Sequence, residues 1–322
     1  MAEVHNVKKS TQFKREHKED YGKEKIKILY SDEYLVVIEK PSGLLSVPYP
    51  GSKSRTALGI LEKIFQKEGK KVYTVHRLDR DTSGVMMFAL SEKAQKKIMD
   101  SWHQMVSERL YRAVAENPKK WTLSDAGLID DELAFNAHNM GFVPKADAKP
   151  KTPKSKGVQT LYDKNIIGSG ENMKFKTVAA RTHYKMLIKG ETHTMFELSL
   201  DTGKKNQIRA HLASKGFVLA GDENYRAKTD PFHRLALHAR TLCFTHPFTK
   251  EQMRFEVAEP EEWAEYVKKG DKNPKPPVWQ KKNDRNENRD IMNIKAERAF
   301  SKKQMAHMDF MERMKAMHRG GR

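Results

Sequence analysis

The stretch VYTVHRLDRDTSGVMMFAL, residues 72–90, joins two apolar segments through a polar loop. Residues 72–75 and 85–90 are rich in β-branched, aromatic and other apolar side chains, so both are predicted strands. A polar loop between two strands is a common place for reactive groups, because the sheet holds the loop in position. Taken alone, residues 76–84 are also compatible with an ordinary turn, since Asp, Thr, Ser and Gly are common turn residues.

Other short strands are predicted on both sides of this loop along the chain. Apolar runs and alternating patterns indicate strands at residues 28–30, 34–38, 110–115, 179–189, 195–200 and 235–244. Helical periodicity predicts helices at residues 57–67, 91–106 and 207–215. Because strands do not alternate regularly with helices, we expect an α+β fold with a mixed, mainly antiparallel sheet and peripheral helices, and not a doubly wound parallel sheet.

The chain has a large positive charge. Its 61 Lys and Arg residues exceed its 42 Asp and Glu residues, which gives a formal net charge of +19. Such an excess suits a polyanion, most often nucleic acid, but it does not separate RNA from DNA or from an anionic membrane. The single cysteine, Cys243, excludes an intramolecular disulfide and a Cys-based zinc site. No apolar run approaches the ~20 residues of a membrane span, and residues 1–25 lack an apolar signal core, so we expect a cytoplasmic protein.

Composition also predicts a folded centre between two polar ends. Residues 1–25 are expected to form a flexible basic arm, and residues 26–270 a single folded domain. Residues 271–322 contain 14 Lys and Arg against 7 Asp and Glu, with methionines spaced three apart. They are predicted to be a partly helical basic tail, which could dock on the domain, contact nucleic acid or be disordered. The Lys- and Pro-rich residues 144–156 are predicted to be an exposed loop.

Two further segments place cations and an aromatic ring near strand ends. Residues 202–209, TGKKNQIR, combine a glycine turn with a run of cations where a predicted strand meets a predicted helix. Helix N-termini and clustered cations both favour anions. Residues 110–113, LYRA, place Tyr111 at the start of another predicted strand. The chain has no phosphate-binding glycine loop, zinc pattern or dinucleotide fingerprint, so we expect no cofactor and no metal.

Together these segments resemble the motifs of RluA-type RNA pseudouridine synthases. The pattern HRLDxxTSG at residues 76–84 is similar to the signature around that family's nucleophilic aspartate. The likeness covers residues 28–260, and its main segments, in the family's order, are residues 34–43, 76–84, 109–113 and 202–212, followed by Gly221, Asp222 and Tyr225. Many members have histidine where this chain has Asn206. The polar first residues indicate a member without the small S4 RNA-binding domain of some relatives.

The resemblance implies a central RNA-binding cleft and three catalytic residues. Asp79 would be the nucleophile that converts uridine to pseudouridine, by attack at C1′, through a glycal, or by addition to C6. Aspartate is ionised at neutral pH, because its ordinary pKa is about 3.9. Tyr111 would stack on the uracil; its phenol, with an ordinary pKa near 10, is a poor base at neutral pH. Arg209 would be the cation beside Asp79 or, alternatively, a phosphate ligand.

Six further residues are candidates for contact with the substrate: His76, Arg77, Thr82, Lys204, Lys205 and Gln207. Arg77 could fill the stack left by a flipped uridine, because a guanidinium plane stacks well on bases, or it could bind phosphate. His76 is expected to order the loop by hydrogen bonding in preference to shuttling protons.

The expected partner is structured RNA, and the basic tail and charged loop favour rRNA over tRNA. No obligate protein partner is evident, so we expect a monomer. One alternative is a non-catalytic RNA-binding or chaperone protein on the same scaffold, which would not explain why Asp79, Tyr111 and Arg209 occur together. Another is a hydrolase of glycosidic bonds, which would need a second carboxylate such as Asp81 to activate water. The motifs do not specify which RNA or which uridine is modified.

Overall fold

The computed structural model describes residues 26–49, 54–136, 138–145, 165–167, 174–271, 273–274, 277 and 279. The chain divides into two compact units, Met1–Lys275 and Pro276–Arg322. The predicted basic arm at residues 1–25, most of the predicted loop at 144–156 and the predicted tail helix lie outside the described residues. All the elements named below belong to the first unit.

The first unit contains fourteen described strands and four described α-helices. The strands are β1 (Lys27–Ser31), β2 (Leu35–Lys40), β3 (Tyr73–Thr74), β4 (Ser83–Ala89), β5 (Val106–Glu116), β6 (Ala126–Ile129), β7 (Ala134–Phe135), β8 (Gly141–Phe142), β9 (Ile166–Ile167), β10 (Lys174–Phe175), β11 (Thr182–Lys189), β12 (His193–Leu200), β13 (Leu237–Thr245) and β14 (Gln252–Glu256). The helices are α1 (Ala57–Phe65), α2 (Glu92–Met105), α3 (Gln207–Ser214) and α4 (Glu262–Lys269).

One large sheet organises the fold. Eight of its ten described strands follow the order β1-β2-β4-β13-β5-β12-β11-β6, while β3 pairs with β4 and β14 pairs with β13. Every neighbouring pair in this sheet is antiparallel except β4 and β13, which are parallel. This arrangement confirms the predicted α+β fold with a mixed, mainly antiparallel sheet.

Strand β4 anchors the loop that precedes it. All seven of its residues are buried, because successive side chains such as those of Met86 and Met87 enter core clusters on opposite faces of the sheet. At its start, Gly84 has φ +116°, and a Cβ there would lie 2.0 Å from the carbonyl oxygen of Ala239 on β13. Glycine is therefore required where β4 meets β13.

The register of the central strands places Tyr111 near the end of the same loop. Gly84 on β4 pairs with Ala239 on β13, which pairs with Tyr111 on β5. Tyr111 in turn pairs with Leu198 on β12, two residues before that strand ends. Since neighbouring strands lie about 4.8 Å apart, Tyr111 is roughly 10 Å across the sheet from Gly84. The pairing of these strands therefore brings the loop that ends at Gly84 close to Tyr111 and to the end of β12.

Helix α2 matches its prediction closely. Ser91 is the N-cap, and its Oγ accepts a hydrogen bond from the Ala94 amide. Ala94 and Ile98 are buried on the inner face, and Trp102 is partly buried on the same face.

Some elements were not predicted. Strand β6 has the sequence AGLI and is exposed along three of its four residues, so it has neither strong strand propensity nor an alternating pattern. Strand β14 and helix α4 were also missed; α4 is short and buries only Trp263 and Val267. None of the helices in the described part of the chain is both long and apolar enough to cross a bilayer.

Candidate active site

The loop containing Asp79 is fixed on both sides by two serines that follow strand β2. Ser46 Oγ donates to the Leu78 carbonyl at 2.6 Å and accepts from the Leu78 amide at 3.1 Å. Ser42 Oγ donates to the Asp81 carbonyl at 2.7 Å. Because the peptide groups before and after Asp79 are held in this way, the carboxylate has a defined position.

Lys40 supports the same loop from inside the protein. Its side chain is fully buried, and its Nζ donates to the carbonyl oxygens of Pro41, Leu44 and Arg80 at 2.8–3.0 Å. A buried ammonium group is tolerated only when its donors are satisfied, and three carbonyls satisfy them here. The lysine of the opening motif therefore has a structural role.

The Asp79 carboxylate has two partners on one oxygen. Asn206 Nδ2 donates to Oδ2 at 2.7 Å, and Arg209 Nη1 lies 3.5 Å from the same oxygen. The side chain is 21% exposed. Within the described residues, Oδ1 has no hydrogen-bond partner, so this oxygen is open to an incoming group.

Arg209 is itself held by a second carboxylate. Its Nε and Nη2 donate to the two oxygens of Asp222, each at 2.7 Å, and Asp222 is 1% exposed. Burial acts to lower the pKa of Arg209, but the hydrogen bonds and charge of Asp222, with Asp79, outweigh it and raise the pKa. The guanidinium is therefore a fixed cation. This geometry favours the predicted cation beside Asp79 over the alternative of a phosphate ligand.

Gln207 orders the turn that presents Asn206 and the two lysines. Its side chain is 2% exposed. Its Oε1 accepts from Thr202 Oγ1 and the Lys204 amide, and its Nε2 donates to the Arg181 carbonyl and Thr182 Oγ1. These bonds occupy the amide inside the protein, although Gln207 also lines the cleft, and its contact with the substrate stays a prediction.

A cleft of about 570 Å³ opens above Asp79, a size suited to a small ligand. One wall is apolar and comes from Val75 and from Met99 and Trp102 on α2. The lining also contains the predicted Lys204 and Lys205. Asp79 is the only acidic residue among the described residues that line it. The lining of the cleft also includes Arg77 and Arg109. In the described structure, these two arginines and the two lysines, Lys204 and Lys205, form no ion pair.

Burial changes the titration of two other side chains in the cleft. Burial and the charge of Asp79 raise the pKa of Tyr111, against the opposing effect of Arg109. The phenol is therefore neutral near pH 7, which fits the predicted stacking role better than action as a base. Burial lowers the pKa of Lys205, although Asp79 opposes this shift.

His76 and Thr82 have structural contacts at the edge of the cleft. The Met87 amide donates to His76 Nε2 at 3.0 Å, and burial, with the charge of Arg109, lowers the pKa of His76 to about 3. A neutral imidazole held in this way agrees with the predicted loop-ordering role. Thr82 is 2% exposed, and its amide donates to the Asp79 carbonyl at 3.2 Å.

The sequence did not indicate roles for Asn206 or Asp222. Asn206 has φ 56°, a left-handed conformation that asparagine tolerates better than most residues, and this backbone directs its amide to Asp79. The sequence signal that could have indicated a role for Asn206 was its position directly before the predicted helix that contains Arg209. Asp222 was recognised only as part of a matched motif.

Comparison with known proteins gives consistent matches. Residues 34–214 match the family model described as RNA pseudouridylate synthase. The chain is 31% identical over 252 residues to the uncharacterized RNA pseudouridine synthase YlyB of Bacillus subtilis, covering 76% of this chain and 73% of that protein. It is 28% identical over 258 residues to ribosomal large subunit pseudouridine synthase D of Haemophilus influenzae, covering 75% and 70%. It is also 28% identical over 260 residues to tRNA pseudouridine synthase C of Vibrio parahaemolyticus, covering 74% and 93%.

A solved structure also shares the fold. Human RNA pseudouridylate synthase domain containing 4 superposes with a TM-score of 0.52 at 21% identity, covering 74% of this chain and 90% of that chain.

Proposed function

The chain belongs to the RNA pseudouridylate synthase family, isomerases that act on uridine in RNA, and we propose that Asp79 is its nucleophile and ribosomal RNA its substrate. The observation that carries the proposal for Asp79 is its two-sided environment. Oδ2 accepts a hydrogen bond from Asn206 and lies 3.5 Å from Arg209, while Oδ1 has no hydrogen-bond partner among the described residues, and the side chain lines the cleft.

The reaction requires little more than a positioned carboxylate. The C1′–N1 bond breaks, the uracil turns and C1′–C5 forms; the proton on C5 is lost and N1 gains one. No electrons are transferred and no group leaves, so the chemistry needs no redox cofactor. Attack at C1′, the glycal route and addition to C6 all begin from the Asp79 carboxylate, which lies 3.5 Å from Arg209.

The uridine must leave its helix to reach this carboxylate. A base within a stack does not expose C1′, and extruding it costs a few kcal/mol. Tyr111 lines the cleft as a neutral aromatic ring, which supports its role as the surface on which the extruded uracil stacks. Arg77 is exposed at the same loop, where it can replace the base in the stack or contact phosphate.

The hydrolase alternative lacks support from the cleft. Hydrolysis needs a second carboxylate to activate water. Asp81 forms an ion pair with Arg80 at 2.9 Å and does not line the cleft. The non-catalytic alternative is set aside because the family consists of enzymes.

Substitution of Asp79 tests the nucleophile. Asp79→Asn keeps the size of the side chain but removes its charge, so we expect it to form no pseudouridine in RNA that the wild type modifies. Asp81→Asn, two residues away and outside the cleft lining, is the matched control and should remain active. Equal rates for wild type and Asp79→Asn would overturn the assignment, and release of free uracil by the wild type would favour hydrolysis.

The choice of rRNA is supported by the large positive charge of the chain and its basic residues 271–322. Relatives named for ribosomal RNA and for tRNA show similar identity, so likeness alone does not select the substrate. Pseudouridines should be mapped in total RNA from cells with and without the gene. We expect a site in rRNA to disappear; loss confined to tRNA would contradict the proposal.

A further inference from the structure

The wall of the cleft formed by α2 has features that catalysis at Asp79 does not use. Met99 and Trp102 lie one helical turn apart and both line the cleft. Met99 is 55% exposed, which is unusual for a large apolar side chain. Exposed apolar surface inside a cleft that also contains a reactive group indicates a place for a ligand.

Trp102 is held rigidly but retains an unused polar group. Its ring packs against His76, with centroids 4.9 Å apart, and the guanidinium carbon of Arg109 lies 5.9 Å from its centroid. In the part of the chain that the structure describes, no group accepts a hydrogen bond from its indole N–H. A fixed aromatic ring with a free donor is suited to a nucleobase.

The groove continues beyond Trp102. A second cavity of about 200 Å³ shares its lining with the first at four residues: Trp102, His103, Arg109 and Leu200. It also contains two carboxylates, Glu108 and Asp201. Each is paired with an arginine, so neither presents an isolated negative charge to RNA.

The lining of the main cleft combines two kinds of surface that a single RNA strand requires. Bases are apolar on their faces, whereas phosphates are anionic. Lys204 and Lys205 line the same cleft as Met99 and Trp102, and Arg109 lines both cavities. A strand in the groove can thus place bases against the apolar side chains and phosphates near the cations.

We infer that Trp102 and Met99 form a stacking site for the base of an unpaired nucleotide beside the target uridine, with Arg109 contacting the phosphate that follows. The inference rests on the proposed function, because it extends the RNA from the uridine at Asp79. It specifies a substrate class: the uridine lies in a loop or other single-stranded segment in which a neighbouring base is also free to stack. A neighbour paired within a helix cannot reach the ring.

Binding of a short oligouridylate tests the site without turnover. The protein is the full chain with Asp79→Asn, and the comparison ligand is an abasic ribose-phosphate oligomer of equal length. Trp102→Leu should bind oligouridylate about tenfold to a hundredfold more weakly, which is the range expected for one lost base stack. Its affinity for the abasic oligomer should be unchanged. Trp102→Phe keeps a ring and should restore most of the affinity.

Two further measurements separate stacking from packing. Oligouridylate should quench tryptophan fluorescence, and Trp102→Phe should remove that quenching while binding persists. Met99→Ala changes an exposed side chain, so it should weaken the binding of oligouridylate severalfold without affecting folding. Trp121→Leu is the matched control, because Trp121 is 45% exposed but does not line either cavity; it should bind as the parent does.

The inference is overturned if Trp102→Leu and Trp121→Leu bind oligouridylate equally well. It is also overturned if Trp102→Leu weakens binding of the abasic oligomer as much as it weakens binding of oligouridylate. Pseudouridine formation by Asp79→Asn would instead refute the nucleophile assignment and leave the stacking result standing. The two failures are therefore distinguishable.

Discussion

Asn206 donates a 2.7 Å hydrogen bond from its side-chain amide to Oδ2 of Asp79, across 127 residues of sequence. Arg209 approaches the same oxygen from the following helix. The hydrogen bond from Asn206 and the ion pair with Arg209 both restrain the carboxylate through Oδ2, and Oδ1 has no hydrogen-bond partner among the described residues. The amide has no charge of its own, so its contribution is to orient the proposed nucleophile, whereas Arg209 supplies the positive charge.

Asn206→Gly should lower kcat by roughly tenfold to a hundredfold, the equivalent of a hydrogen bond to a charged group of about 1.5–3 kcal/mol. Glycine accepts the left-handed backbone of this position, so the loss should not come from strain. KM should change little, because the amide contacts the carboxylate proposed as the nucleophile and is not assigned to a phosphate. Steady-state kinetics on the mapped RNA provides the measurement.

The control for this substitution is Asn139→Gly, since Asn139 also has φ 56° but lies in another turn. It should leave both constants unchanged. Asn206→Asp keeps the shape and replaces a donor by a like charge, so it should be less active than Asn206→Gly. If it equals the wild type, Asn206 does not position Asp79.

Much of the fold was predictable from local patterns. Ser91 as the start of α2 and the apolar segment after Gly84 both follow from short-range rules of capping and strand propensity. The loop with Asp79 was visible because two strong strand signals enclose it. Each of these features depends on residues close together in sequence.

Contacts between distant segments could not be derived in the same way. The sequence contains no signal that Asn206 would reach Asp79, because that contact depends on the order β4-β13-β5-β12 and on a left-handed residue before α3. Gln207 was predicted to contact the substrate as part of the matched segment 202–212. Nothing in the sequence indicated that its amide would also satisfy buried polar groups of the turn.

Asp222→Asn should reduce the free energy of unfolding by about 3 kcal/mol or more. It removes the charge that compensates the buried Arg209, and breaking a buried ion pair typically costs about 3–5 kcal/mol. Urea unfolding monitored by circular dichroism gives the value. Glu108→Gln breaks the exposed pair with Arg254, which should change stability by less than about 1 kcal/mol. Equal effects would show that the Asp222 pair is not buried in solution.

Tyr111→Phe should retain more activity than Tyr111→Ala. Burial and Asp79 raise the pKa of the Tyr111 phenol, so the neutral ring is the available form at neutral pH. Phenylalanine keeps the stacking surface, whereas alanine removes it. Single-turnover formation of pseudouridine at pH 7 compares the two variants, with the wild type as reference. Equal loss in both would mean that the hydroxyl, and not the ring, is essential.

The folded protein should lose stability as the pH falls below about 6.5. Burial lowers the pKa of both His193 and His238 to about 4. The unfolded chain binds protons at these histidines from its ordinary pKa of about 6.5, so unfolding is favoured progressively between pH 6.5 and 4. Replacing His238 by Gln should flatten the slope by up to about 1.4 kcal/mol per pH unit. An unaltered slope in His238→Gln would contradict the prediction.

The double variant Lys204→Ala and Lys205→Ala should weaken RNA binding and reduce its dependence on salt. Each phosphate contact contributes about 0.7 to the slope of log K against log salt on single strands, so losing two contacts should lower the slope by about 1.4. Burial lowers the pKa of Lys205, while Asp79 opposes that shift by favouring the charged form. Lys119→Ala with Lys120→Ala removes the same charge from exposed residues outside the cleft. If both double variants change the slope equally, net charge and not the cleft governs affinity. A change confined to residues 204 and 205 places phosphates at these two lysines in the cleft.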